Sequence, residues 1–374
     1  MAFKTVSNIP KDSFLNKPPA LFDLNDYVRQ QLHPLADAHQ ECEEALDMIV
    51  DYLKKKVPLK VRRVLKSGAH LRGADVRGEV EEYQLVLFLY DFKSMADCRY
   101  KLNEILQQVE FHMKKTNWIV DGNLLMEKNT EFSVRFTLRC SDHRDKFHRI
   151  LIFPCHDVLK GDNPTKLYKD SMYKDMKTLD EAGRQVYWPV VSQLQTKFIQ
   201  FRPPAHAVNN LIRLVKHWIH TCFREETKKN LPNAYVIELL VLNIWERVGA
   251  PPSFDMLIGF YGFLRKLMMP QMTQAIWNQN YDFSKYEQFT PKNTRIPFII
   301  DPASPFGNLA ARYIKGWDDL ITVARESLRK PLLWGMEEKR LWQVNPPDEP
   351  EDDKEDDKGK ENKKKNDKDK KKKK

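Results

Sequence analysis

The chain has 374 residues, 41% of them hydrophobic and 30% charged, and a formal net charge of +10. That is enough apolar material for one large bilobal unit or two ordinary domains, while no apolar run approaches the roughly 20 residues that a bilayer-spanning helix needs. Residues 348–374 hold 12 Lys against 11 Asp and Glu, so nearly all the positive charge belongs to the body, as suits a polyanionic partner such as RNA.

Residues 1–20 carry Pro10, Pro18 and Pro19 with little periodicity and are expected to form an extended arm. From Leu21, "LFDLNDYVRQQL" and "CEEALDMIVDYLKKKV" repeat apolar residues at helical spacing and predict two bracing helices. Short runs rich in branched residues at 84–90, 132–140 and 149–155 predict strands, with a helical segment between the first two. Residues 21–185 thus form a sheet lobe flanked by helices, of mixed α and β class. From 186 to 345 the pattern is mainly helical, with Pro203, Pro204, Pro232, Pro251 and Pro252 falling between segments. Residues 346–374 are almost wholly Asp, Glu, Lys and Asn, and are expected to be a disordered tail.

The five cysteines (Cys42, Cys98, Cys140, Cys155, Cys222) include no C-x-x-C pair. They are expected to be reduced thiols. Cys140, Cys155, His143, His148 and His156 match no zinc-site spacing, so no zinc is expected. The N-terminal residues lack the apolar centre of a secretory signal, which makes cytoplasm, and also nucleus, the expected compartment. The lysine-rich end could attract RNA or serve nuclear import, although charge runs more often merely solvate.

Chemistry is concentrated in "RVLKSGAHLRGADVRGEVEEYQLVLFLYDF", where Gly68, Gly73 and Gly78 would allow backbone amides to approach a phosphate. Further along stand "NLIRLVKHW", "LPNAYVIELLVLNIWE" and "RIPFIIDPASPFGNLAARYIKGWDDL". In this order they resemble the 2′-5′-oligoadenylate synthase family, and the eight residues from Leu211 to Trp218 follow its pattern without a break. The resemblance spans about residues 21–335 and implies a bilobal nucleotidyltransferase fold with a nucleotide cleft between the lobes. Active members use ATP and magnesium to make 2′-5′-linked oligoadenylate when double-stranded RNA is bound. Three carboxylates hold two metal ions, one to activate the attacking 2′-hydroxyl and one to bear charge on the leaving pyrophosphate.

The chain departs from this pattern at the metal positions. Matching the strand "LVLFL" puts Glu82 and Gln84 where the family has its D-x-D pair, and Leu151 where it has the third carboxylate. Glu82 is the remaining candidate for catalysis and for metal. Glu79, Glu81, Asp75 and Asp91 are near enough in sequence to be considered as substitutes. The family's phosphate loop "GGSxGKGT" becomes "SGAHLRGA", with Ala69 in place of the serine while Gly68, Arg72 and Gly73 remain. Lys216 and Tyr235 match the residues that meet the donor triphosphate and adenine. Glu238 and Trp245 are expected to support a helix, and Asp301 to shape a turn.

For RNA, the resemblance implies a basic row across both lobes that reads A-form duplex by shape. Lys66 and Arg202 match family positions, and Lys60, Arg62 and Arg63 could extend the row. After Arg202 the sequence "PAHAVNN" lacks both lysines of the family's segment. The family's Cys-Phe-Lys oligomerisation motif is replaced by "RKPLLWG", so a monomer is expected. The expected function is double-stranded RNA binding, with ATP binding possible, in antiviral sensing and with nucleotidyl transfer lost or impaired. The alternative is an RNA-triggered enzyme with rearranged magnesium ligands that makes oligoadenylate or another second messenger.

Overall fold

The computed structural model describes residues 6–68, 70–79, 82–116, 124–139, 147–200, 206–290, 293 and 295–336. The elements run α1 (Leu24–Tyr27), α2 (Ala36–Lys55), β1 (Val61–Gly68), β2 (Glu82–Leu89), α3 (Met95–Met113), β3 (Leu124–Met126), β4 (Val134–Arg139) and β5 (Phe147–Cys155). They continue with α4 (Lys166–Lys177), α5 (Glu181–Gln185), α6 (Trp188–Gln200), α7 (His206–Cys222), α8 (Glu225–Lys228), α9 (Ala234–Arg247) and α10 (Met256–Leu267). Strands β6 (Gln274–Ala275), β7 (Phe298–Asp301) and β8 (Ser304–Asn308) and helix α11 (Ile314–Ser327) follow. Among the described residues no helix is long and apolar enough to cross a membrane.

The main sheet has the order β1-β2-β5-β4-β3. Its central pair, β2 and β5, is parallel, and the other pairings are antiparallel. A parallel pair requires a crossover, and α3 lies within it. That helix starts at Ser94, whose hydroxyl accepts the Asp97 amide, and buries Met95, Cys98, Leu102, Ile105, Leu106, Val109 and Met113 at three- and four-residue intervals. These side chains join Leu85, Leu87, Ile150, Ile152, Val134 and Phe136 in the core of the sheet lobe.

A second core lies in the helical lobe, around Trp218, Phe260, Phe263 and Trp317. Phe14, Leu15, Leu24, Val28 and Leu32 pack into it. The segment that precedes the sheet lobe in sequence therefore belongs to the helical lobe by packing, and residues 14 and 15 of the expected arm are anchored there. The segment expected as one helix from Leu21 is short α1 followed by a π-turn over Val28–Leu32. The second lobe is not wholly helical: β6, β7 and β8 form a small sheet. "PFII" lies in a short apolar run bounded by Pro297 and Asp301, a length at which helical and strand periodicity cannot be told apart.

Helix α6 belongs to both cores. Val190, Val191 and Leu194 pack in the sheet lobe, Phe198 and Ile199 in the helical lobe.

Candidate nucleotide cleft

Side chains alternate along a strand, so Glu82 and Gln84 leave β2 on one face while Tyr83 and Leu85 enter the core. Strand pairing sets Gln84 opposite Ser67 on β1 and opposite Leu151 on β5. Leu151 in turn is opposite Arg135 on β4. Ser67, Gln84, Leu151 and Arg135 therefore form one row across four strands spaced about 4.8 Å apart. The two positions matched to the second and third family carboxylates are neighbours in space, but they carry an amide and a buried isobutyl group.

Glu82 is engaged by its neighbour: the Gln84 Nε2 group donates to Glu82 Oε1 at 2.9 Å. Ser67 Oγ lies 2.9 Å from Thr196 Oγ1 of α6, which shows that this face of the sheet looks toward that helix. Arg135 contributes a guanidinium whose Nε is buried without a hydrogen-bond partner. One carboxylate, an amide, an alkyl group and a cation do not make a magnesium site, which needs several oxygen ligands in octahedral array. Among the described residues no group of three or more carboxylate, histidine or cysteine side chains is placed to hold a metal ion. Asp91 follows the far end of β2, about 30 Å along the chain from Glu82 at strand rise, and its Oδ2 accepts the Lys60 amide. Asp75 is buried, Glu79 lies 3.7 Å from His217 Nδ1, and Glu81 lies outside the described residues.

The glycine loop is held by close backbone packing. Gly68 has φ +112°, and a Cβ there would stand 2.5 Å from the Glu82 carbonyl oxygen; only glycine takes this backbone without strain. Ala69 lies outside the described residues. Gly73 (φ +70°) begins a stretch whose carbonyls face α7. Arg213 donates to the Gly73 and Asp75 carbonyls at 2.6 and 2.9 Å, and Lys216 Nζ donates to that of Ala74 at 2.9 Å. Three residues apart on one helix face, these two cations of the "LIRLVKHW" segment stitch the loop to the helical lobe, and Lys216 is buried in doing so.

Arg72 makes a bidentate pair with Glu238 of α9, at 2.6 and 3.2 Å, and its guanidinium lies 5.5 Å from the centre of the Tyr235 ring. Glu238 is thus the partner of a loop arginine rather than a plain helix support. The Tyr235 hydroxyl donates to Asp301 Oδ1 at 3.1 Å, and burial, followed by the nearby Asp301 charge, pushes its ionisation far above the usual range. Asp301 also accepts from Gln195 Nε2 and from the Ala303 amide, at 2.6 and 2.8 Å. Burial raises its carboxyl to about 6 despite these three donors. Asp301 shapes a turn, as its sequence context implied, and also joins α6, α9 and the small sheet. Trp245 Nε1 donates to the Pro251 carbonyl within the same lobe.

Among the described basic residues named for RNA, Lys66 and Arg63 do not share a face. Lys66 leaves β1 toward α2, where Nζ meets Glu43 and Asp47 at 2.7 and 2.9 Å. Arg63 leaves the opposite face and pairs with Asp157, Asp162 and Gln193. Arg62 lies 3.6 Å from Asp157 and over the Tyr90 ring. Lys60 is exposed, and Arg202 is outside the described residues. Of the residues considered for zinc, His148 packs edge-on to Tyr83, His156 binds the Phe92 carbonyl, and Cys140 and His143 are not described.

Sequence reasoning missed Arg135, Arg213 and Gln195. For Arg135 a signal existed: it alternates with Val134 and Phe136 on a strand, which assigns it to the face shared with Leu151.

The family profile for 2′-5′-oligoadenylate synthetase 1, domain 2, C-terminus, matches residues 163–347. The rat 2′-5′-oligoadenylate synthase 1A is 27% identical over 357 residues, covering 87% of this chain and 95% of the relative. The rat inactive 2′-5′-oligoadenylate synthase 1B is likewise 27% identical, covering 82% and 84%. Among solved structures, the CdnC chain of the Escherichia coli MS115-1 CdnC:HORMA-deltaN complex aligns over 84% of this chain and 90% of its own, with TM-score 0.54 and 16% identity. CdnC with ATP aligns with TM-score 0.51, over 81% and 88%. These solved structures share the nucleotidyltransferase fold, and the chain belongs, as a divergent member, to the 2′-5′-oligoadenylate synthase family.

Proposed function

We propose that this protein is a non-catalytic synthase relative that binds double-stranded RNA and nucleotide in antiviral sensing. The observation that carries the loss of catalysis is the register pair Gln84–Leu151, which sets an amide and an alkyl group where an ion would need two carboxylates. A metal position stripped of its oxygen ligands can neither acidify a ribose hydroxyl nor bear the charge of a departing pyrophosphate. The body's positive charge and the family membership support RNA as partner; the internal pairing of Lys66 and Arg63 argues for weaker binding than an open basic row would give. We assign the protein to the cytoplasm and nucleus, as a monomer.

The test incubates purified protein with ATP, magnesium and duplex RNA, and separates the products by anion-exchange chromatography. No 2′-5′-linked oligomer is expected, with Glu82→Ala indistinguishable from wild type. Oligomer synthesis abolished by that substitution overturns the proposal. Duplex RNA should shift the protein in gels with an affinity that falls steeply with salt.

A further inference from the structure

The residues that replace the metal ligands do more than empty the site. Leu151 removes a negative charge, and Arg135, its register partner on β4, places a positive one beside it. Arg149 holds the corresponding place next to Glu82, with its Nε 3.2 Å from Glu127 Oε2. Glu82, two residues before Gln84 on the same face of β2, has one oxygen occupied by Gln84. Arg135 is fixed at its backbone, where its amide donates to Asn129 Oδ1 at 3.1 Å and its carbonyl accepts the Glu127 amide at 3.0 Å. Its Nε remains buried without an acceptor. A partly buried guanidinium with an unmatched N–H is costly, and an anion relieves that cost. Guanidinium also presents a planar fork of donors that fits phosphate oxygens in pairs.

We infer that the cleft binds the phosphate chain of a nucleoside triphosphate directly through Arg135, without a divalent cation. Arg135 supplies there the positive charge that metal ions supply in a catalytic member of the fold. The inference rests on the reading of a non-catalytic cleft and extends it: magnesium, which partly neutralises free ATP, should not help binding and should compete for the phosphate oxygens.

The experiment is calorimetric titration of the full chain with ATP, tripolyphosphate and adenosine, each in excess EDTA and in magnesium. ATP and tripolyphosphate should bind in EDTA at least as tightly as in magnesium, and adenosine much more weakly. Arg135→Gln should weaken ATP in EDTA by roughly 10-fold or more, the size of one lost charge-assisted contact, with Arg135→Lys intermediate. The wild-type competition of tripolyphosphate with ATP does not depend on any variant folding. ATP binding only with magnesium, no ATP binding in either condition, failure of tripolyphosphate to compete, or an unchanged affinity in a folded Arg135→Gln protein would each overturn the inference. Synthesis of oligoadenylate, in contrast, would overturn the loss of catalysis whatever the titrations give.

Discussion

Removing the Arg72 guanidinium should unbalance the inter-lobe contact more than it affects any ligand. In the fold Arg72 is paired through two hydrogen bonds with Glu238, a carboxylate with no solvent exposure, while the arginine side chain itself is only 10% exposed. Breaking a buried pair from one side leaves the other charge uncompensated, at a cost of about 3–5 kcal/mol. Unfolding entropies near 2.1 cal/mol/K per residue put a chain of this length at about 0.8 kcal/mol per degree. Arg72→Ala should therefore melt about 4–6 °C below wild type. The double variant Arg72→Met with Glu238→Leu removes both charges and fills the space, and should recover most of that loss. Scanning calorimetry on wild type, Arg72→Ala and the double variant gives the answer. If Arg72→Ala melts within a degree of wild type, or if the double variant is the least stable of the three, Arg72 is not a brace. Its value then lies in holding a ligand, as the sequence pattern proposed.

Asp301 makes a second prediction. Its native carboxyl ionises only near 6 against an ordinary 3.8, chiefly because it is buried, so between those values the native state holds the extra proton and stability falls as pH rises. The loss should reach about 3 kcal/mol by pH 7. Urea unfolding at pH 4 and pH 7 should show it in wild type and not in Asp301→Asn, and equal slopes for the two proteins would refute the assignment. Gly316→Ala should destabilise although alanine is the better helix former, because its Cβ would stand 2.1 Å from the Asn230 carbonyl oxygen. About 2–3 kcal/mol is expected from such overpacking, and a raised melting temperature would contradict it.

The central strands were legible because their apolar runs are branched and short, and α3 because its buried positions keep helical spacing. Strand β1 was less so. Its "VRRVLKSG" carries cations on both faces of an edge strand, with Arg63 pairing on one side and Lys66 on the other, so no alternation of apolar and polar residues marks it. The cleft divided in the same way. Gln84 and Leu151 could be placed by matching motifs, and the strand register sets them side by side. The engagement of Lys216 and Arg72 could not be read in this way. A cation that matches a family motif does not announce whether it faces a phosphate or, like Lys216, a loop carbonyl of its own chain. Long-range pairs such as Arg72–Glu238 link residues 166 apart in sequence, beyond the reach of any local pattern.

Helix α6 places one end in each core, and this limits how the two lobes can move. A hinge needs a few residues free to absorb a change in backbone angles, and α6, buried from Pro189 to Thr196, supplies none along that stretch. An opening of the cleft across α6 then proceeds by small sliding of packed side chains, with Ser67–Thr196 and Gln195–Asp301 as the contacts that slip. The same geometry joins the lobes into one cooperative unit, in which amide exchange at the centre of α6 should be as slow as global unfolding.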